Sequence, residues 1–257
     1  MNYIVFDLEF NQSYNSIEEN KKCPFEIIQI GAVKLNKDLN IISTFNKFVK
    51  PELYTTINPY VEQITGITID KVANSQSFEK IYNEFVYFLG EESILCVWGM
   101  SDIKELFRNI EYHKLHLSLI PKKYINIQLY ASKHFNNQKG IYIGLSNAVK
   151  LLNIPIKNQF HDAFNDAYYT AEVFKKIYNN EIKTNIYNFN KYKNSTTHNT
   201  PKTRLDWDNL IKQFQKMFDR EITLEEQSMI KLAYMMGKTN QFQIPHLNNS
   251  KDEGNKI

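Results

Sequence analysis

Two acidic residues set two positions apart inside an apolar strand constrain this chain more than any other feature of its sequence. In Phe6-Asp7-Leu8-Glu9-Phe10 the side chains of a strand alternate between its two faces, so both carboxylates point the same way. Held side by side near a buried strand they repel one another, and the arrangement is costly unless a cation sits between them. Oxygen-only ligands of this kind suit hard divalent ions such as Mg²⁺. The plainer alternative is an exposed strand end with two solvated acids, and the segment by itself leaves both open.

The pattern around this segment sets the fold class. Tyr3–Leu8, Ile27–Leu35 and Ile41–Phe48 read as strands, and the short polar stretch Asn36-Lys37-Asp38-Leu39-Asn40 between the last two is that of a hairpin connection. Ser77 caps an apolar-periodic helix through Phe78, Ile81, Tyr82, Phe85, Phe88 and Leu89 that ends at Gly90. A buried strand follows at Ile94–Trp98, then a helix opened by Ser101-Asp102, a short strand at Tyr124–Ile127, the segment Leu129–Phe135, and helices over Gly144–Leu152 and Ala163–Ile177. Strands first, then alternation of strand and helix, predicts an α/β fold with a mixed central sheet and helices on both faces.

Beyond Glu181 the character changes. Thr184–Thr203 is dominated by Asn, Lys, Tyr and Thr and reads as a linker. Trp207, Leu210, Ile211, Phe214, Met217 and Phe218 then recur at helical spacing, and Thr223 with Glu226 forms a capping box for a second helix through Met229, Ile230, Leu232, Ala233 and Met236. The expected organisation is therefore a first domain over residues 1–183, a linker over 184–203, a helical hairpin over 204–240 and a polar, disordered tail over 241–257. The hairpin's apolar face serves either a partner protein or a second copy of the chain, or else the first domain itself.

Bulk charge argues nothing about nucleic acid, since 31 basic residues face 28 acidic ones for a net charge of +3. Any binding groove has to be local. Cys23 and Cys96 share no metal-ligand spacing and make no disulfide framework, so a cytoplasmic location is the expectation. The opening strand is cut by Asp7 and Glu9 and reads as neither a signal peptide nor a membrane span, and no stretch reaches the roughly 18 apolar residues a spanning helix needs.

Two further features carry candidate chemistry. Asp102 stands just after the buried strand Ile94–Trp98, at the strand-to-helix turn where open α/β sheets place ligands, although Ser101-Asp102 by itself is an ordinary helix N-cap. His161-Asp162-Ala163-Phe164-Asn165-Asp166 opens the long helix, with Asp166 on one helical face and His161 just before it. By itself His161 reads as a capping or surface residue.

Taken together, Asp7, Glu9, Asp102, His161 and Asp166 resemble, in order and type, the five catalytic positions of the DEDDh exonuclease superfamily. Glu26-Ile27-Ile28-Gln29-Ile30-Gly31-Ala32-Val33 is similar to that family's second strand, and Ile64-Thr65-Gly66-Ile67-Thr68 to its Thr-Gly-Ile segment. The resemblance covers residues 1–180 and is nearest to the branch containing the histone-mRNA exonuclease, the RNA-interference-regulating exonucleases and the bacterial KapD-like proteins.

That resemblance implies a ribonuclease H-like exonuclease fold and a 3′→5′ exonuclease that releases 5′-mononucleotides from single-stranded RNA or DNA 3′ ends, RNA favoured. It implies two Mg²⁺ or Mn²⁺ ions, with Asp7 bridging both, Glu9 and Asp166 holding the one that carries the attacking water, and Asp102 acting on the other. His161 would take the proton of that water as general base. Phe10 and Thr65-Gly66-Ile67 are similar to the wall against which the 3′-terminal nucleotide packs, although their plainer reading is core and turn. A DNA exonuclease and a non-catalytic nucleic-acid-binding module are the competing readings, and the second predicts loss of a catalytic position, of which none is lost.

Overall fold

The computed structural model describes residues 1–14, 20–137, 140–189 and 205–238. The chain divides into two compact units, Met1–Asn136 with Ile143–Thr197, and Asn137–Tyr142 with His198–Ile257. In the first, β1 (Asn2–Gln12), β2 (Phe25–Leu35) and β3 (Ile41–Phe48) are followed by α1 (Pro59–Thr65), α2 (Ile69–Val72), α3 (Phe78–Leu89), β4 (Ser93–Val97) and α4 (Ser101–Tyr112). Then come β5 (Lys123–Asn126), α5 (Ile127–His134), α6 (Leu145–Leu151), α7 (Ala163–Ile177) and β6 (Asn185–Ile186). The strands form one mixed sheet in the order β3-β2-β1-β4-β5-β6, antiparallel from β3 to β1 and again at β6, and parallel across β1, β4 and β5.

The two faces of β1 build two cores. Ile4, Phe6 and Leu8 pack with α3 and α4 through Phe85, Leu89, Ile103, Leu106 and Phe107. Tyr3 and Val5 point the other way, into a cluster with Ile127, Ala131, Tyr169 and Phe174. Asp7 and Glu9 continue this second row, so strand alternation alone sends them towards the α7 face. A bulge between Glu9 and Phe10 interrupts the pairing with β2, a feature that re-aims side chains at the end of a ladder. A third, smaller cluster joins Ile28, Ile57, Val61, Ile67 and Val72 beneath α1 and α2.

Several predicted ends are met closely. Ser77 accepts the Lys80 N–H at the head of α3, and Gly90 follows its last turn with φ 70°. The apolar row of Ala163–Ile177 becomes α7 with the same bounds. The segment read as Leu129–Phe135 is a helix that starts earlier, at Ile127, because the Asn126 side chain caps it by accepting the Leu129 N–H. Helices α1 and α2 were not expected. The first is opened by Asn58, whose side chain accepts the Tyr60 N–H, with a proline in its first turn, and is closed by Gly66 at φ 66°.

The sheet also runs past residue 183, where the sequence places the end of the first domain. Asn185–Ile186 pairs with β5 and Tyr187 is buried with Phe107 and Tyr124 beside it. These residues take up the start of the stretch read as linker; its remainder, 190–203, lies outside the described residues, as does the tail 241–257.

In the second unit, α8 (Trp207–Phe218) is capped by Asp206, which accepts the Asn209 N–H, and α9 spans Leu224–Lys238. The expected capping box is present: the Glu226 N–H donates to Thr223 Oγ1 at 3.2 Å and the Thr223 N–H to Glu226 Oε2 at 2.9 Å. Ile211 and Ile222 are buried, whereas Met217, Phe218, Leu224 and Met229 are exposed. Among the described residues no helix is long and apolar enough to cross a membrane.

Gly31 fixes how closely α7 approaches the sheet. A Cβ added there would lie 2.2 Å from the backbone of Ala163 and Phe164, so only a bare α-carbon lets the head of α7 rest on β2. We predict that Gly31→Ala lowers unfolding free energy by about 1–3 kcal/mol or more, as measured by chemical denaturation. A variant as stable as the parent would mean that α7 shifts without cost.

Candidate active site

Three separate stretches of chain deliver the acidic groups. Strand β1 contributes Asp7 and Glu9, the first turn of α7 contributes Asp166, and the first turn of α4 contributes Asp102. Carboxylate oxygens of Asp7, Glu9 and Asp166 all lie within 4.8 Å of one another. Asp102 stands outside this triad but inside its field. It is buried, and hydrogen bonds from its own N–H and from that of Leu8 hold its carboxylate. Its predicted alternative, a helix cap, does not apply: Met100 occupies the N-cap of α4 and makes no side-chain cap.

The electrostatics are those of like charges gathered in a poorly solvated place. Burial first, and then Asp102, Asp166, Glu9 and Asp162, push the Asp7 carboxyl well above its usual range. Glu9 is raised in the same way by burial and by Asp166, Asp102 and Asp162. Asp102 and Asp166 are each pushed up to about 7, by burial before anything else, although hydrogen bonds from backbone N–H groups oppose the rise. A protein that must keep these four groups ionised at neutral pH needs positive charge between them.

The site's own atoms fit a hard cation. Asp166 Oδ2 accepts the His161 N–H at 3.1 Å, while Asp166 Oδ1 is buried with no hydrogen-bond partner. A buried carboxylate oxygen in that state is costly, and a divalent ion shared with Asp7 and Glu9 would satisfy it. The donor set is oxygen only, as Mg²⁺ or Mn²⁺ requires.

His161 stands at φ 64°, a left-handed conformation that is uncommon for a residue with a side chain. The N-cap of α7 is its neighbour Asp162, whose Oδ1 accepts the Asn165 N–H at 3.0 Å. The capping reading of His161 therefore passes to Asp162. Burial lowers the imidazole's pKa below its ordinary 6.5, which favours the uncharged ring.

The residues similar to a substrate wall are placed less distinctively. Phe10 packs edge-on to Phe25. Thr65 is buried and spends its hydroxyl on the Val61 carbonyl and the Ile67 N–H, and Ile67 is core. Gly66 is exposed, and a Cβ there would meet nothing within 4 Å, so its left-handed φ, not a close approach, accounts for the glycine.

Some residues that shape the site escaped the sequence reading. Asn11, two positions after Glu9, donates to the Tyr54 and Thr56 carbonyls and accepts the Asn58 N–H, tying β1 to the start of α1. Glu26 accepts three successive N–H groups, from Glu52, Leu53 and Tyr54. Gln29 bonds to Asp162. For Glu26 and Gln29 the signal in the sequence was a polar side chain inside an otherwise apolar run, whereas Asn11 stands at the head of a polar stretch and carried none.

The family described as Exonuclease matches residues 4–174. A PolC-type DNA polymerase III of Streptococcus pneumoniae is 28% identical over 116 residues, 44% of this chain and 7% of that protein. The 3′-5′ exoribonuclease 1 of Rattus norvegicus is 30% identical over 124 residues, 43% of this chain and 35% of that protein. The matches thus span well under two thirds of either relative's length. The solved nuclease domain of 3′hExo, described as a DEDDh family member bound to rAMP, superposes with a TM-score of 0.62 at 22% identity, covering 72% of this chain and 96% of that one. At that identity the likeness is one of fold, the ribonuclease H-like exonuclease fold expected above. By the match over residues 4–174, this chain belongs to the exonuclease family.

Proposed function

We propose that this protein is a divalent-metal-dependent 3′→5′ exonuclease that shortens single-stranded nucleic acid, RNA in preference to DNA, releasing 5′-mononucleotides. The observation that carries this reading is the convergence of Asp7, Glu9 and Asp166 within 4.8 Å, with an unpartnered Asp166 oxygen and His161 bonded through its N–H to the same Asp166. Asp7, Glu9 and Asp166 would hold a divalent ion, and Asp102 the share of a second. When bound, such ions offset the charge of the scissile phosphate and lower the pKa of an attacking water.

The chain's own residues do the rest. An imidazole nitrogen of His161 takes the proton of that water. The strained backbone at His161 is held by its N–H to Asp166, so the base and a metal-holding carboxylate move as one piece. Phe10 and the backbone at Thr65-Gly66-Ile67 would confine the terminal nucleotide. The preference for RNA has the support of the rat relative's name and of the rAMP in the 3′hExo structure, while the polymerase relative favours DNA. Incubation of 3′-labelled and 5′-labelled RNA and DNA oligomers side by side decides it: mononucleotide release from RNA 3′ ends is expected, abolished by EDTA and restored by Mg²⁺ or Mn²⁺. Full activity in excess EDTA would rule out the metal-dependent reading.

His161→Ala should lower turnover about 10²–10⁴-fold while leaving metal affinity near that of the parent. Asp7→Asn should lose activity and metal affinity together, because it removes a ligand. The parent should also lose rate as pH falls through the imidazole's pKa, below its ordinary 6.5, and the alanine variant should lack that limb. A His161→Ala protein that melts early yet keeps its rate per folded molecule would sink the assignment.

The raised carboxyls predict a pH-dependent stability as well. For Asp102 and Asp166 the folded pKa, about 7, exceeds the ordinary 3.8, so in this window the folded state binds more protons than the unfolded one. Stability of the metal-free protein should therefore fall as pH rises from the ordinary carboxyl range to about 7. Saturating Mg²⁺ should flatten the decline. Melting temperatures in EDTA that rise steadily across this window would contradict it.

A further inference from the structure

Gln29 has no part in the chemistry above, yet it is fully buried, at 0% exposure, in an otherwise apolar strand. It lies opposite Glu9 in the β1–β2 register, two positions before Gly31, and so faces the head of α7. Both ends of its amide are used there. Nε2 donates to Asp162 Oδ2 at 2.9 Å and to Asn46 Oδ1 at 3.1 Å, and Oε1 accepts the Ala163 N–H at 3.3 Å.

We propose that Gln29 is a positioning residue that sets the turn aiming His161, an inference that rests on the reading of His161 as the base. Helix capping does not require it, since Asp162 Oδ1 already takes the Asn165 N–H. What Gln29 adds is grip on the turn itself. His161 is held in a left-handed conformation, which is strained for a residue with a side chain and persists only where the surroundings over-determine it. Three successive residues supply that constraint: His161 through its N–H to Asp166, Asp162 through its carboxylate to Gln29, and Ala163 through its N–H to Gln29. Asn46 fastens the same amide to β3. Misplacing a reacting group by about 1 Å can cost about 10²-fold in rate, so this clamp bears on turnover more than on binding.

An exchange of donor and acceptor tests it. Gln29→Glu keeps the size of the side chain and an oxygen for the Ala163 N–H, but sets a second carboxylate against that of Asp162. Adding Asp162→Asn restores a donor facing an acceptor, leaves Oδ1 to cap α7 and returns the total charge to that of the parent. Asn46 need only turn its amide. Gln29→Glu should lower kcat about 10–100-fold, with KM little changed, and should speed amide hydrogen exchange at residues 160–163. The double variant should recover most of both. Melting curves show which chains fold, and Asp162→Asn alone, with its cap retained, is the milder probe if Gln29→Glu does not. A single variant with parental kcat and exchange overturns the proposal, as does a folded double variant no better than the single one. A parent chain that shortens no oligomer with Mg²⁺ or Mn²⁺ would remove the functional reading instead, and the exchange data would still decide whether Gln29 sets the turn.

Discussion

Repulsion between carboxylates that share one partly buried place governs this structure. Asp7 and Glu9 cannot separate, because two positions along one strand share one face. Asp166 and Asp102 arrive from helices on opposite sides of the sheet, and burial compounds the repulsion by withdrawing the water that would screen it. Such an assembly is stable only if protons or cations supply the missing charge. The fold places the acids where a cation can reach several of them at once.

The frame that enforces this crowding is apolar and rigid. Strand β1 is central, with β2 on one side and β4 on the other, and its alternating side chains anchor two separate cores. The missing side chain at Gly31 lets α7 sit directly on β2, which brings Asp166 to the row begun by Tyr3 and Val5. On the opposite face Ile103, Leu106 and Phe107 lock α4 to the sheet, and the first turn of that helix carries Asp102 to the end of β1. Packing free energy far from the acids thus offsets their mutual repulsion.

Much of this was legible in the sequence because it rests on short-range rules. The Asp7/Glu9 pair was visible from strand periodicity, the bounds of α3 and α7 from caps and apolar spacing, and the box at Thr223 and Glu226 from a four-residue pattern. Where the reading left alternatives, the same local rules could not choose. Asp102 looked like a cap because helix starts favour aspartate, and His161 looked like one because it precedes a helix; in the structure Met100 and Asp162 hold those positions. Strand β6 escaped notice because two residues, Asn185 and Ile186, carry no periodicity of their own and become a strand only by pairing with β5.

The sequence by itself determined which groups could do chemistry and the elements that carry them, since periodicity and capping act within a few residues. Only the tertiary structure decided which carboxylates meet, which oxygen of Asp166 stays without a partner, and that a buried glutamine 133 positions away grips the Asp162 carboxylate. Contacts of that kind depend on how the strands and helices pack in space, and no local pattern records that packing.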